Sequence, residues 1–351
     1  MKRIPAAVLG ATGAVGQRFV QRLENHPWFD VVALIASERS VGTAYERAVR
    51  WHLPTPIPAG MAKQTVLPID RIERTGARLV FSALPADPAR EVEPVLAEMG
   101  LAISSNASAL RREPDIPLVV PEVNPDHMSL LSIQRANRGW RGFVVTNPNC
   151  TTTGIALVLK PLDDAFGLRS VLATTMQAVS GAGYPGVPSL DAIDNVLPHI
   201  GGEEEKIEHE PRLLLGSAGP HGKQEAAFSV SAQANRVPVV DGHTVCLSLG
   251  FEKRATAVDV RGVLSAFRGA CADLDLPSSP ATPVVVREEI DRPQPRLDRD
   301  ACDGMAVSVG RIRPCPVLDV RLVLVVHNTI RGAAGGSILN GELLAAQGLL
   351  S

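Results

Sequence analysis

Short apolar runs alternate with amphipathic stretches through the first 150 residues. "AAVLG" (6–10) predicts a buried strand, "ATGAVGQRFVQRLENHP" a glycine turn feeding a helix, and "VVALIAS" (31–37) a second strand. "ARLVFSAL" (77–84) predicts another strand and "DPAREVEPVLAEMG" a helix closed by Gly100. "LAISSNAS" and "PLVVPEV" (117–123) predict further short strands, and the prolines of "WHLPTPIPAG" make residues 51–60 a surface loop or edge excursion. This order predicts an α/β fold: a Rossmann-type, doubly wound dinucleotide-binding domain with a mostly parallel sheet.

Beyond residue 150 the texture changes. "LRSVLATTMQAVSG", "AAFSVSAQANRVPVV", "HTVCLSLGFE", "TPVVVREE" and "VLDVRLVLVV" are longer strand-like segments with partial alternation. Helical stretches such as "RGVLSAFRGACADL" (261–274) lie between them, which predicts an α+β domain on a largely antiparallel sheet. The chain ends in "AGGSILNGELLAAQGLL", a glycine turn followed by a helix. A length of 351 residues favours two domains.

Composition narrows the function classes. At 45% hydrophobic and 21% charged residues the chain has an ordinary globular make-up. A net charge of −2 gives no basic excess for a phosphate backbone, and 4% aromatics offer few stacking platforms, so nucleic acid is not an expected partner. No run is long enough to span a bilayer, and the N-terminus reads as a first strand rather than a signal peptide. The five cysteines, Cys150, Cys246, Cys271, Cys302 and Cys315, are odd in number and lack a close pair or a histidine cluster. That argues against disulfides and a metal site, and points to a reducing cytoplasm.

Three places carry candidate chemistry. Gly10, Gly13 and Gly16 follow a strand and open a helix, as a pyrophosphate-binding turn requires. The next strand ends in Ala36-Ser37-Glu38-Arg39-Ser40, where an arginine between two hydroxyls suits a 2′-phosphate and hence NADP. Third, "VVTNPNCTTTGIALVLKPL" turns through Asn147-Pro148-Asn149 into an apolar segment, setting Cys150 at a helix's first turn. A thiol there ionises more readily and has amides nearby for an oxyanion. Cys246 alternates with apolar residues and reads as core, Cys271 falls in an amphipathic helix, and Cys302 and Cys315 fall in loops. Of the eight histidines, His243 is a good acid/base candidate, in a tight turn seven residues after Arg236. "GGEEEKIEHEPRLLLG" reads as a charged helix start with Glu203 and Lys206 on one face, and "QAVSGAGYPGVPSL" as a loop able to approach a ligand.

Together these segments resemble the aspartate-semialdehyde dehydrogenases of archaea and fungi. The matching pieces, "GATGAVGQRF", "ASERSVG", "SNASALRREPDIPLVVPEVNP", "NPNCTTTG", "QAVSGAGYPGVPSLDAIDN", "GGEEEKIE", "NRVPVVDGH" and "GGSILNGELL", run in family order over nearly the whole chain. The resemblance implies Cys150 as acyl-accepting nucleophile, His243 as its acid/base partner and Gln177 as an orienting group. It implies Arg236 on the substrate α-carboxylate, Glu203 on its amine, and Arg111 (or the adjacent Arg112) with Lys206 on phosphate. Gly10, Thr12, Gly13, Ala14 and Val15 would hold the cofactor, with Ser37, Arg39 and Ser40 at its 2′-phosphate. Ser82, Ala83, Ser180, Gly181 and Gly183 would complete the NADP site, with Asn340 near the nicotinamide or its support. Relatives often carry lysine where this chain has Thr43, which leaves Arg39 with more of the load.

The implied reaction is reductive dephosphorylation of L-aspartyl 4-phosphate through a cysteine thioester, in lysine, methionine and threonine biosynthesis. The resemblance further implies a homodimer or homotetramer, a cofactor domain of residues 1–149 plus 329–351, and a catalytic and dimerisation domain of residues 150–328. Archaeal malonyl-CoA reductases are similar at this level, and a non-catalytic NADP sensor on the same fold is the rival of a different class.

Overall fold

A computed structural model describes residues 3–350. Its first sheet is built from the short apolar runs: β1 (Ile4–Leu9), β2 (Phe29–Ile35), β3 (Leu79–Ser82), β4 (Ala102–Ser105) and β5 (Phe143–Thr146). All are parallel, in the order β2-β1-β3-β4-β5. Every residue of β3, β4 and β5 is buried, which is why they read as continuous runs rather than alternating ones. Helices α1 (Ala14–Leu23), α2 (Ala86–Glu98) and α3 (Leu130–Arg138) flank this sheet. Phe19 and Val20 of α1 and Leu131 of α3 pack on one face with Phe81, while Ala89 and Leu96 of α2 pack on the other with Val80.

Helix α4 (Cys150–Phe166) leaves the end of β5 and leads into the second sheet. Next come β6 (Leu168–Gln177), α5 (Glu203–Leu214), the hairpin β7 (Ser217–Gly219) and β8 (Gly222–Gln224), β9 (Ser229–Arg236) and β10 (His243–Phe251). Helix α6 (Ala257–Ala266), β11 (Val284–Val286), β12 (Val307–Pro314), β13 (Val320–Val326) and α7 (Gly335–Ala346) complete the chain. The second sheet has the order β11-β12-β13-β10-β6-β9. Its four central strands are antiparallel neighbours, as expected, but both edge pairs, β6–β9 and β11–β12, are parallel. The sheet is therefore mixed. The long connection through α5 lets β9 return alongside β6 in the same direction.

Four expectations need correction. "PLVVPEV" forms no strand: Pro117 and Pro121 remove ladder donors. Asn124 closes the segment as a turn, accepting from the Val120 amide at 2.9 Å and donating to the Leu118 carbonyl at 2.9 Å. The helix read through residue 274 stops at Ala266, so Cys271 lies outside it, though buried. Gly335 and Gly336 are not a turn but the first residues of α7, which packs Ile338 and Leu343 against the first sheet. Finally, Cys246 is not core. It alternates with buried Val245 and Leu247, so it faces the open side of the second sheet beside Thr174 and Val323.

Candidate active site

Asn147-Pro148-Asn149 ends β5 and starts α4, and the cap explains the position of the thiol. The Asn149 side chain accepts from the Thr151 and Thr152 amides at 2.9 and 3.2 Å, a preferred N-cap arrangement. Its Nδ2 donates to both oxygens of Glu203, at 3.0 and 2.8 Å, while its own amide donates to Glu210. Cys150 is thereby fixed as the first residue of α4. The cap also uses amides the sequence reading set aside for an oxyanion, leaving the Cys150 N–H as the first-turn donor with no partner inside the helix.

Sheet register supplies the partners. Gln177 and Arg236 are paired residues at the ends of parallel β6 and β9, and β10 starts with His243 at that same end of the sheet. His243 Nε2 lies 3.2 Å from Cys150 Sγ. Its Nδ1 accepts from the Ala178 amide at 3.0 Å, so the neutral ring carries its proton on Nε2. Arg236 donates to the Ala178 carbonyl at 2.7 Å. Glu203, Lys206 and Glu210 follow one face of α5. Lys206 bonds Glu203 at 2.9 Å, Gln177 bonds Glu203 at 3.2 Å, and Glu210 holds Arg111 at 3.0 Å.

Cys150, Gln177, Arg236, Glu203, Lys206 and Arg111 line a cavity of about 560 Å³ that also reaches Ala14, Val15, Ser180, Gly181 and Gly183, with His243 fully buried behind the thiol. Arg111 faces it, buried, whereas Arg112 is exposed. A larger hollow of about 950 Å³ adjoins it beside His52 and Tyr184, but it contains neither Cys150 nor His243. The Cys150 thiol opens on the smaller cavity.

The β1–α1 turn fits a pyrophosphate. Gly10 has φ +79°, and a Cβ there would stand 3.0 Å from the Ala83 carbonyl. No side chain caps α1, whose first residues Ala14 and Val15 open on the cavity, so its orphan amides are free for an anion. Thr12 and Gly13 complete this turn. Ser37, Arg39 and Ser40 stand at the end of neighbouring β2, the first two exposed. Ser82, predicted at the cofactor, and Asn340, predicted near the nicotinamide or its support, do not line the cavity. Ser82 is fully buried beneath the turn, and Asn340 is fully buried, bonding Asn147 at 2.5 Å and the Val119 carbonyl at 3.3 Å. Among the described residues no group of His, Cys, Asp or Glu is placed to hold a metal ion, and no helix is long and apolar enough to cross a membrane.

Electrostatics correct one expectation. Burial, then the Glu203 charge, push the Cys150 thiol up to about 12, outweighing Arg111, the Thr151 amide and Lys206. Burial likewise pushes His243 down to about 3. The resting pair is a neutral thiol beside a neutral imidazole, not a preformed thiolate. Glu203 stays ionised: burial would raise its pKa, but Lys206 and the bonds from Asn149 and Gln177 hold it below the usual value. With the thiol pKa far above neutrality, the alkylation rate of Cys150 by iodoacetamide in the substrate-free protein should rise about tenfold per pH unit from pH 7 to 10. A plateau already reached at pH 7 would show a preformed ion pair instead.

Asn149, Glu210 and Ala178 escaped the sequence reading. The first was legible as an N-cap and the second as a continuation of the Glu203 helix face. The third acts through its backbone and has no sequence signal.

Comparison with known proteins matches residues 5–131 to "Semialdehyde dehydrogenase, NAD binding domain" and residues 159–331 to "Semialdehyde dehydrogenase, dimerisation domain". The aspartate-semialdehyde dehydrogenase of Archaeoglobus fulgidus is 50% identical over 99% of this chain and 100% of its own. That of Methanothermobacter thermautotrophicus is 51% identical over 97% and 99%. Among solved structures, aspartate semialdehyde dehydrogenase with NADP from Candida albicans superposes with a TM-score of 0.91 at 42% identity, covering 99% of both chains.

Proposed function

We infer the function from one premise: the chain belongs to the semialdehyde dehydrogenase family. It is an NADP-dependent enzyme that reduces L-aspartyl 4-phosphate to L-aspartate 4-semialdehyde, the step feeding lysine, methionine and threonine biosynthesis. The observation that carries this reading is the Cys150–His243 contact of 3.2 Å, with Cys150 opening on a cavity that has Arg236, Glu203, Lys206 and Arg111 on its walls. The relatives compared above share the name aspartate-semialdehyde dehydrogenase, and the malonyl-CoA alternative has no support among them.

Arg236 binds the planar α-carboxylate through its two-pronged guanidinium, Glu203 the amine, and Arg111 with Lys206 the phosphoryl group. So oriented, the acyl carbon faces Cys150. Its sulfur bonds that carbon, phosphate departs with the electron pair of the broken C–O bond, and the thiol proton passes to His243. Nε2 accepts it only in the other tautomer, with the ring proton on Nδ1, so deprotonation is coupled to opening of the contact with the Ala178 amide. The Cys150 N–H stabilises the oxyanion, Gln177 orients the acyl group, and His243 then returns its proton to the hemithioacetal oxygen and takes it back as aldehyde leaves. NADPH, when bound, supplies the hydride. Residues of the Gly10–Val15 turn would hold its pyrophosphate, Ser37, Arg39 and Ser40 its 2′-phosphate, and Ser180, Gly181 and Gly183 its nicotinamide end. Asn340 supports this region at one remove, through Asn147.

Residues 1–149 with 329–351 form the cofactor unit and 150–328 the catalytic unit, a division supported by α7 packing on the first sheet. The open sheet face, with Leu172 46% exposed, suits pairing with a second copy, as the matched domain description says of the family. The five free cysteines suit a cytoplasmic enzyme.

The direct test is NADP reduction by L-aspartate 4-semialdehyde, expected to require inorganic phosphate; activity with coenzyme A in place of phosphate would refute the substrate assignment. Arg236→Lys keeps the charge and loses the fork, so KM for the substrate should rise about tenfold or more with a smaller change in kcat. An unchanged KM counts against the carboxylate role.

A further inference from the structure

We propose that Glu203 and Lys206 act as one coupled device: arrival of the substrate's ammonium group at Glu203 displaces Lys206, which then moves to the phosphoryl end. The two ends of the substrate thus bind cooperatively. The proposal rests on the reading of Glu203 as amine holder and Lys206 as phosphate holder given above.

The observation is that Glu203 is already full. Its Oε1 accepts from Asn149 Nδ2 at 3.0 Å and Lys206 Nζ at 2.9 Å; its Oε2 accepts from Asn149 Nδ2 at 2.8 Å and Gln177 Nε2 at 3.2 Å. A carboxylate offers about four acceptor sites, so an incoming ammonium must replace one of these donors. Asn149 is committed at its other end to capping α4, and Gln177 is fixed at a strand end with 1% exposure. Lys206 alone has a long flexible stem and a partly exposed side chain, at 29%. Exchanging one ammonium for another also leaves the buried carboxylate paired, which removing a neutral donor would not improve.

Once displaced, Lys206 needs an anion. Arg111 lines the same cavity, and its Nε is buried with no hydrogen-bond partner even though Nη1 and Nη2 are engaged. A phosphoryl group beside Arg111 would satisfy both cations. Without an amine, Lys206 remains held by Glu203 and that site is one cation short. The device therefore favours ligands that carry both an amine and a phosphoryl group over those carrying either alone.

The test is calorimetric titration of inorganic phosphate into the NADP-bound enzyme, alone and with saturating L-2-aminobutyrate or butyrate. L-2-Aminobutyrate has the amine and carboxylate but no electrophilic carbon; butyrate lacks the amine. The phosphate Kd should tighten about tenfold with L-2-aminobutyrate, within the usual span of coupling between sites, and stay unchanged with butyrate. Lys206→Met should weaken phosphate binding and make it indifferent to L-2-aminobutyrate. A phosphate Kd unchanged or weakened by L-2-aminobutyrate, when that compound binds in a Glu203-dependent way, overturns the coupling alone. Failure of L-2-aminobutyrate to bind, or binding that Glu203→Gln leaves intact, overturns the amine assignment and the coupling with it.

Discussion

Replacing Cys150 by alanine removes turnover by about four to six orders of magnitude, the range seen when a covalent nucleophile is lost, and leaves NADPH affinity within about twofold. The two outcomes separate because the sulfur belongs to α4 and the pocket wall, whereas the glycine turn belongs to β1 and α1. Alanine keeps the helix start, since the cap is made by the Asn149 side chain and not by the thiol. The readouts are steady-state NADPH oxidation and quenching of NADPH fluorescence on binding. Turnover within tenfold of the parent would exclude a thioester route. Joint loss of turnover and NADPH binding would instead mean that the substitution had disturbed the cavity. The same experiment addresses the sensor reading, which expects cofactor binding with a thiol whose removal changes nothing.

How much of this was legible beforehand depends on whether the signal was local. The β1–α1 turn and Cys150 at a helix start announce themselves because glycine, asparagine and proline act on their own backbone. The meeting of Gln177, Arg236 and His243 is set by pairing across three strands, and no spacing in the sequence encodes it. On its residues alone His243 was one turn histidine among eight; family resemblance singled it out. Strand β12, "VSVGRIRP", went unnoticed because a buried run interrupted by Gly310 and followed by two arginines has no clean period. The thiol's ionisation was misread for a related reason. A helix start lowers a thiol pKa, but burial, and after it Glu203, 53 positions away in the chain, reverse the sign. Asn340 was expected near the nicotinamide or its support, and its side chain is used within the scaffold, on Asn147.

Among the described residues, one ion pair of that scaffold has no side-chain exposure on either partner, and its loss should be the largest single change in stability. Arg331 donates to both oxygens of Glu122, at 2.7 and 2.6 Å, and neither side chain is exposed at all. Arg331→Met leaves the Glu122 carboxylate buried without its cation, which destabilises by about 3–5 kcal/mol. Adding Glu122→Leu removes the stranded charge and should restore most of that loss, because an apolar pair of similar volume fills the space without desolvating ions. Activity should follow a different course. Arg331 lies in the wide helical turn Ile330–Ala334, whose next residue, Gly332, packs so tightly on the catalytic segment that a Cβ there would stand 2.5 Å from the Cys150 Cβ. Such turns are common at functional sites. Without the fork of hydrogen bonds the turn loses its register against Cys150, so kcat should stay depressed in the double variant even as its urea midpoint recovers. If the single variant unfolds within about 1 kcal/mol of the parent, or if stability and kcat recover together, the pair holds the fold in general and does not position the sulfur.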